Sequence, residues 1–147
     1  DAADLVIVRP RQSKAQITPT ITLPDWAEEK ARAMAREKGR DYHALRADWL
    51  AFAQAETAYN EAATLKRQDP NANVRSKFVN AAKLFAAASK AWPKSELEQD
   101  SLHMAGESYF FADYYWDAET QYEMLLKKYQ NSKHIDVVQP RRFASAA

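Results

Sequence analysis

The chain reads as an all-α protein built from antiparallel helical hairpins stacked side by side. Three observations predict this. Ala81, Phe85, Ala88, Trp92 and Ser95 return as Ala118, Tyr122, Leu125, Tyr129 and Ser132, always at the same offset (122 − 85 = 37). A signature repeating at about the length of one helical hairpin marks units that bury their faces against one another. The second observation is composition: 46% of the residues are hydrophobic, yet only two are Gly. Such a chain favours ordered helices over Gly-rich turns. The third is a run of apolar residues at steps of three and four between Asp41 and Asp69, the period of one helix face.

Residues 1–24 form a separate element. Leu5-Val6-Ile7-Val8 is a short β-like run, and Pro10, Pro19 and Pro24 punctuate a Thr- and Ile-rich stretch. With no hairpin partner in view, this reads as an extended arm or linker laid along the helices or onto a neighbour, the alternative being a disordered leader.

The helical domain spans 25–147. Asp25 and Glu28 have the spacing of a capping box ahead of Ala27, Ala31 and Ala35, and Gly39 stands where that helix should stop. Asp41 opens a longer helix with inward positions Leu45, Trp49, Phe52 or Ala53, Glu56, Tyr59 and Ala63. Asp69-Pro70-Asn71 closes it. The next helix is predicted from about Val74 to Trp92, stopped by Pro93. Ser95 caps a helix from Glu96 to about Ala112, with Glu98 as its capping-box partner. Tyr114 to Tyr129 forms the following helix. Ser132 opens a last one, which Pro140 should kink or end because proline has no N–H to donate.

The best unit, residues 96–130, carries Leu102, Ala105, Gly106 and Tyr109, then Ala118, Tyr122 and Leu125. This pattern resembles the tetratricopeptide repeat (TPR), with about 42–93 as the preceding repeat. Gln130 stands where that family favours Pro, and Leu125 where a small residue is common. The resemblance implies a small TPR-like α-solenoid that binds a protein or peptide partner. It also implies that the first helix of a unit lines a concave groove, which puts Asp100, His103, Glu107, Phe110 and Phe111 on that groove. The family's peptide-carboxylate clamp uses Lys, Arg and Asn at such positions. Acidic and aromatic residues here point instead to a basic or amphipathic partner segment.

The stretch from Leu125 to Asp136, followed by Arg141 and Arg142, resembles the repeat junction of BamD-type lipoproteins of the outer-membrane β-barrel assembly machinery. Periplasmic repeat proteins of the YbgF/CpoB type share it. The resemblance implies a non-enzymatic interaction scaffold of a bacterial cell envelope, in the periplasm or on the periplasmic face of the outer membrane. The cytoplasm is the alternative location, and a structural subunit of a larger complex, joined through the arm and its aromatic residues, is the alternative role.

Other classes find little support. The net charge is +1, and Lys and Arg alternate with Asp and Glu along the helices, so nucleic acid is not an expected partner. There is no Cys, which removes disulfides and thiolate metal sites. No apolar run of about 18 residues could cross a membrane. The chain starts at Asp1 without an initiator Met, which suggests a processed protein or an excised segment. A signal peptide or lipid anchor could precede it. His43, His103 and His134 lie on different helices without HExxH spacing, and no GxSxG elbow or phosphate-cradling Gly loop exists. No catalytic, cofactor-binding or metal-binding residue is therefore expected.

The dense cluster Tyr109, Phe110, Phe111, Tyr114, Tyr115 and Trp116 is different. Tyr109 and one of the two Phe residues should be core. One helical stripe cannot bury all six, so two or three should be exposed and available to a partner. Tyr114, Tyr115 and Trp116 join the groove residues as expected partner-binding positions.

Overall fold

The computed structural model describes residues 4–9 and 22–146. Among the described residues six helices follow one another: α1 (Asp25–Lys38), α2 (Tyr42–Gln68), α3 (Arg75–Ala88), α4 (Glu96–Phe111), α5 (Tyr115–Lys128) and α6 (Ile135–Ala146). Each packs mainly on its neighbours in the chain, α1 on α2 through to α5 on α6, with α4 also reaching α2. This is a stack of helical hairpins. Among the described residues there is no strand, and no helix is long and apolar enough to cross a membrane.

Local chemistry explains most helix ends. Gly39 takes the left-handed conformation, φ 64°, that ends α1 at little cost to glycine. The Asp41 carboxylate accepts from the His43 N–H at the start of α2. All the predicted inward positions of α2 are buried: Leu45, Trp49, Phe52, Ala53, Glu56, Tyr59 and Ala63.

Four details differ from the sequence expectation. Pro24, not Asp25, is the N-cap of α1, and its carbonyl accepts from Ala27 and Glu28. Glu28 instead pairs with Arg32 and accepts the Tyr42 hydroxyl. At α4, Ser95 Oγ accepts from the Glu98 N–H at 3.1 Å, but Glu98 reaches back to the Lys94 N–H rather than to that of Ser95. α3 stops at Ala88, because the chain tightens into turns at Lys90 and Ala91 that bond to carbonyls three residues back. Pro140 does not end α6, which continues to Ala146.

The 37-residue recurrence acquires a physical meaning. Ala81, Phe85 and Ala88 on α3 are buried, as are Ala118, Tyr122 and Leu125 on α5. Trp92 and Tyr129 lie just beyond those helices. The Trp92 indole donates to Asp48, and the Tyr129 hydroxyl donates to Glu98. Each ties the exit of a second helix to a first helix. Ser95 and Ser132 then supply side-chain acceptors to the N–H groups that follow.

The core has two parts. The larger lies among α1, α2, α3 and the inner face of α4, where Trp26, Trp49, Phe52 and Phe85 meet edge to face at 5.3–6.2 Å. The smaller joins Leu102, Ala118, Tyr122, Leu125 and Val138. Tyr122 lies so close over Gly106 that an added Cβ there would be 2.3 Å from its ring. The helices can approach this closely only because residue 106 has no side chain.

Residues 4–9 of the arm lie on the chain's own helices, with Leu5 buried in the larger core. The Leu5–Val8 run forms no strand, because its polar backbone partner is the side chain of Asn60. The remainder of the predicted arm, residues 1–3 and 10–21, lies outside the described residues.

Candidate functional site

α4 turns Asp100, His103 and Glu107 to one side, as steps of three and four require. That side is not an open groove. Asp100 and Glu107 are each 6% exposed, because the chain from Lys133 into α6 covers them. Glu107 receives both Nε and Nη2 of Arg141 at 3.0 Å and the hydroxyl of Tyr122. Asp100 is hydrogen-bonded to His134 at 2.9 Å and paired with Lys133 at 3.2 Å. His103 stacks on His134 with ring centroids 3.9 Å apart. α6 begins the next structural unit and inserts Val138 beside Leu102 and Tyr122. The stripe expected to line a groove is instead the seam between units, with its acidic charge neutralised.

The seam also defines what these residues can do chemically. Burial alone would raise the Asp100 carboxyl, yet the His134 and Lys133 contacts hold it below its ordinary range. Glu107 already has three donors. Among the described residues no group of three His, Asp or Glu side chains is placed to hold a metal ion.

Burial, with like charge from His134, pushes His103 down to about 3. Burial likewise raises Glu56 on α2, to about 7 against the pull of Arg9. The two groups give stability opposite pH dependences. Between pH 3 and 6.5 the unfolded His103 binds a proton that the folded one refuses, so stability falls as pH falls. Between 4.5 and 7 the folded Glu56 holds a proton that the unfolded one has lost, so stability falls as pH rises. The slopes oppose one another from 4.5 to 6.5. Replacing His103 with Phe keeps the ring stack and removes one of them. Below pH 6.5 the His103→Phe chain should gain on the native chain by up to about 1.4 kcal/mol per pH unit in urea unfolding. A stability difference that does not change with pH would contradict a buried, neutral His103.

The aromatic cluster lies at the α4–α5 turn. Its geometry is fixed by a left-handed Asp113, φ 64°, and by bonds from Asp113 N–H to Phe110 and from Tyr114 N–H to Tyr109. These are the two bonds of a Schellman turn. Phe111 packs toward Phe78 at 6.2 Å, and Phe110 meets Tyr115 edge-on at 5.4 Å. The Arg141 guanidinium lies over both Phe rings. Both Phe residues are thus half-buried, as is Tyr109, where the sequence suggested Tyr109 and one of the two Phe as core. Tyr114, Tyr115 and Trp116 are exposed, Trp116 by 83%. The Tyr115 hydroxyl donates to Asp113, which also pairs with Arg75 across the turn.

Two clefts flank this belt. One, of about 210 Å³, is lined by Leu5, Lys66, Phe78, Phe110, Phe111 and Tyr115. The other, of about 440 Å³, lies between Tyr114 and the α3 residues Arg75, Val79 and Lys83.

Sequence reasoning missed a third cluster. Asn60 on α2 bonds both the N–H and the C=O of Val8. Arg9 pairs with Glu56 at 3.0 Å and lies 3.7 Å from the centre of the Trp26 ring. One signal was available: Glu56 sits on an otherwise apolar stripe, and a buried carboxylate needs a cation. No protein-family model, curated protein or solved structure matches the chain.

Proposed function

We propose that the chain is a non-enzymatic protein–protein interaction scaffold of a bacterial cell envelope, akin to the BamD-like outer-membrane assembly components. The observation that carries this reading is the belt of Tyr114, Tyr115 and Trp116. Three large aromatic side chains stand exposed on a rigid turn, between two clefts that could accept a partner's side chains. Tyr and Trp dominate binding energy where they can be desolvated by a partner, and a contiguous exposed apolar patch marks an interaction surface. The hairpin stack supplies the rigidity, because each unit is braced by its neighbours. The envelope assignment rests on the residue pattern from Leu125 to Asp136 with Arg141 and Arg142.

Affinity capture with the intact chain, from separated envelope and cytosolic fractions of its source, tests the reading. Specific enrichment of envelope proteins is expected. Recovery of cytosolic partners alone, or of none, contradicts it.

A further inference from the structure

The contacts of residues 4–9 are those of a ligand in a receptor. Asn60 reads only main-chain atoms, bonding Val8 N–H at 2.8 Å and accepting nothing from its side chain. A side-chain amide used in this way recognises an extended strand whatever its sequence. Selectivity comes from either side of it. Leu5 is 3% exposed, buried in the core cluster that also holds Phe78, with Phe111 packed against it. Arg9 enters a pocket made by the Glu56 carboxylate and the face of Trp26. Glu56, Asn60 and Trp26 are all borne on helices, so the receptor is pre-organised.

Two features show that the arm is an imperfect occupant. Arg9 is held at φ 51°, a left-handed conformation that costs energy for any residue except glycine. The indole N–H of Trp26 is buried with no acceptor among the described residues. A segment that entered without the left-handed residue, or that offered Trp26 an acceptor, would bind more favourably.

The geometry points to this α2 groove as a peptide-binding site, with residues 4–9 as a built-in competitor. Its partner is an extended segment of another protein carrying an aliphatic residue and, four positions later, an arginine. The proposal rests on the scaffold reading and adds a second surface, which meets the aromatic belt at the cleft that Leu5 lines. Twelve residues, 10–21, separate Arg9 from Thr22. Because residues 4–9 belong to the same chain as the groove, they compete at an effective concentration on the order of millimolar, so the native chain should resist micromolar competitors.

The test uses the full chain and a fluorescent peptide of residues 4–9, Asp-Leu-Val-Ile-Val-Arg. The Leu5→Asp, Arg9→Glu chain, whose own arm is ejected, should bind this peptide at least about tenfold more tightly than the native chain does. A peptide with Glu in place of Arg should lose that gain. If the double variant melts early, the Arg9→Ala chain replaces it, and added peptide should raise its melting temperature. A folded, arm-displaced chain that binds the peptide no better than the native chain overturns the proposal. Envelope capture through the belt would be untouched by that failure, so loss of this site and loss of the scaffold reading are separable.

Discussion

Replacing Gly106 with leucine is expected to destabilise the protein by about 3 kcal/mol and to lower its melting temperature by roughly 10 °C. Even the first added carbon has nowhere to go. A Cβ at residue 106 would lie 2.3 Å and 2.5 Å from two ring carbons of Tyr122. That ring cannot swing aside cheaply, because it is fully buried and its hydroxyl is bonded to Glu107. A mid-helix Gly→Ala change would otherwise gain about 1 kcal/mol from helix propensity, so Gly106→Ala separates the two effects. Net destabilisation by alanine means that the contact with Tyr122 outweighs propensity. A chain with leucine at 106 that melts like the native protein would refute the α4–α5 register.

Reversing two charges in the seam should do still more damage. Asp100→Lys with Glu107→Lys removes the acceptors of Arg141, His134 and Lys133 and buries two further cations among them. Removing one partner of a buried pair typically costs about 3–5 kcal/mol, against a total stability of about 5–15 kcal/mol for a domain. The double variant should therefore be largely unfolded near room temperature, with α6 detached. Circular dichroism and urea titration check this. If these residues faced an open groove, the same variant would fold and lose only a partner, since exposed charges contribute little. A native-like melt would put the stripe back at the surface.

The sequence revealed some of this architecture and concealed the rest, for physical reasons. Periodicity reports which side chains share a face, and it identified the buried positions of α2 and the paired positions of α3 and α5. It does not report what covers a face. Asp100, His103 and Glu107 do share one, but the covering segment is supplied by the chain more than thirty residues later, through Arg141 on α6 and His134 just before it. Their charge suggested solvent, whereas Lys133 and His134, just before α6, and Arg141 on α6 pair with the two carboxylates. Helix ends were legible where a single residue decides, as at Gly39 and Asp41. They were less so where backbone turns compete, as after Ala88. The Asn60 clamp on Val8 has no sequence period at all, because one of its partners is bare backbone.

The exposed belt was anticipated from simple crowding, and it carries the functional claim. The most direct measurement is envelope capture repeated with Tyr114→Ala, Tyr115→Ala and Trp116→Ala combined in one chain. These side chains are exposed, so the variant should retain the native melting profile to within about 1 kcal/mol. It is expected to lose most of the envelope proteins that the native chain retains. Undiminished retention of those proteins by a folded belt variant would contradict the account.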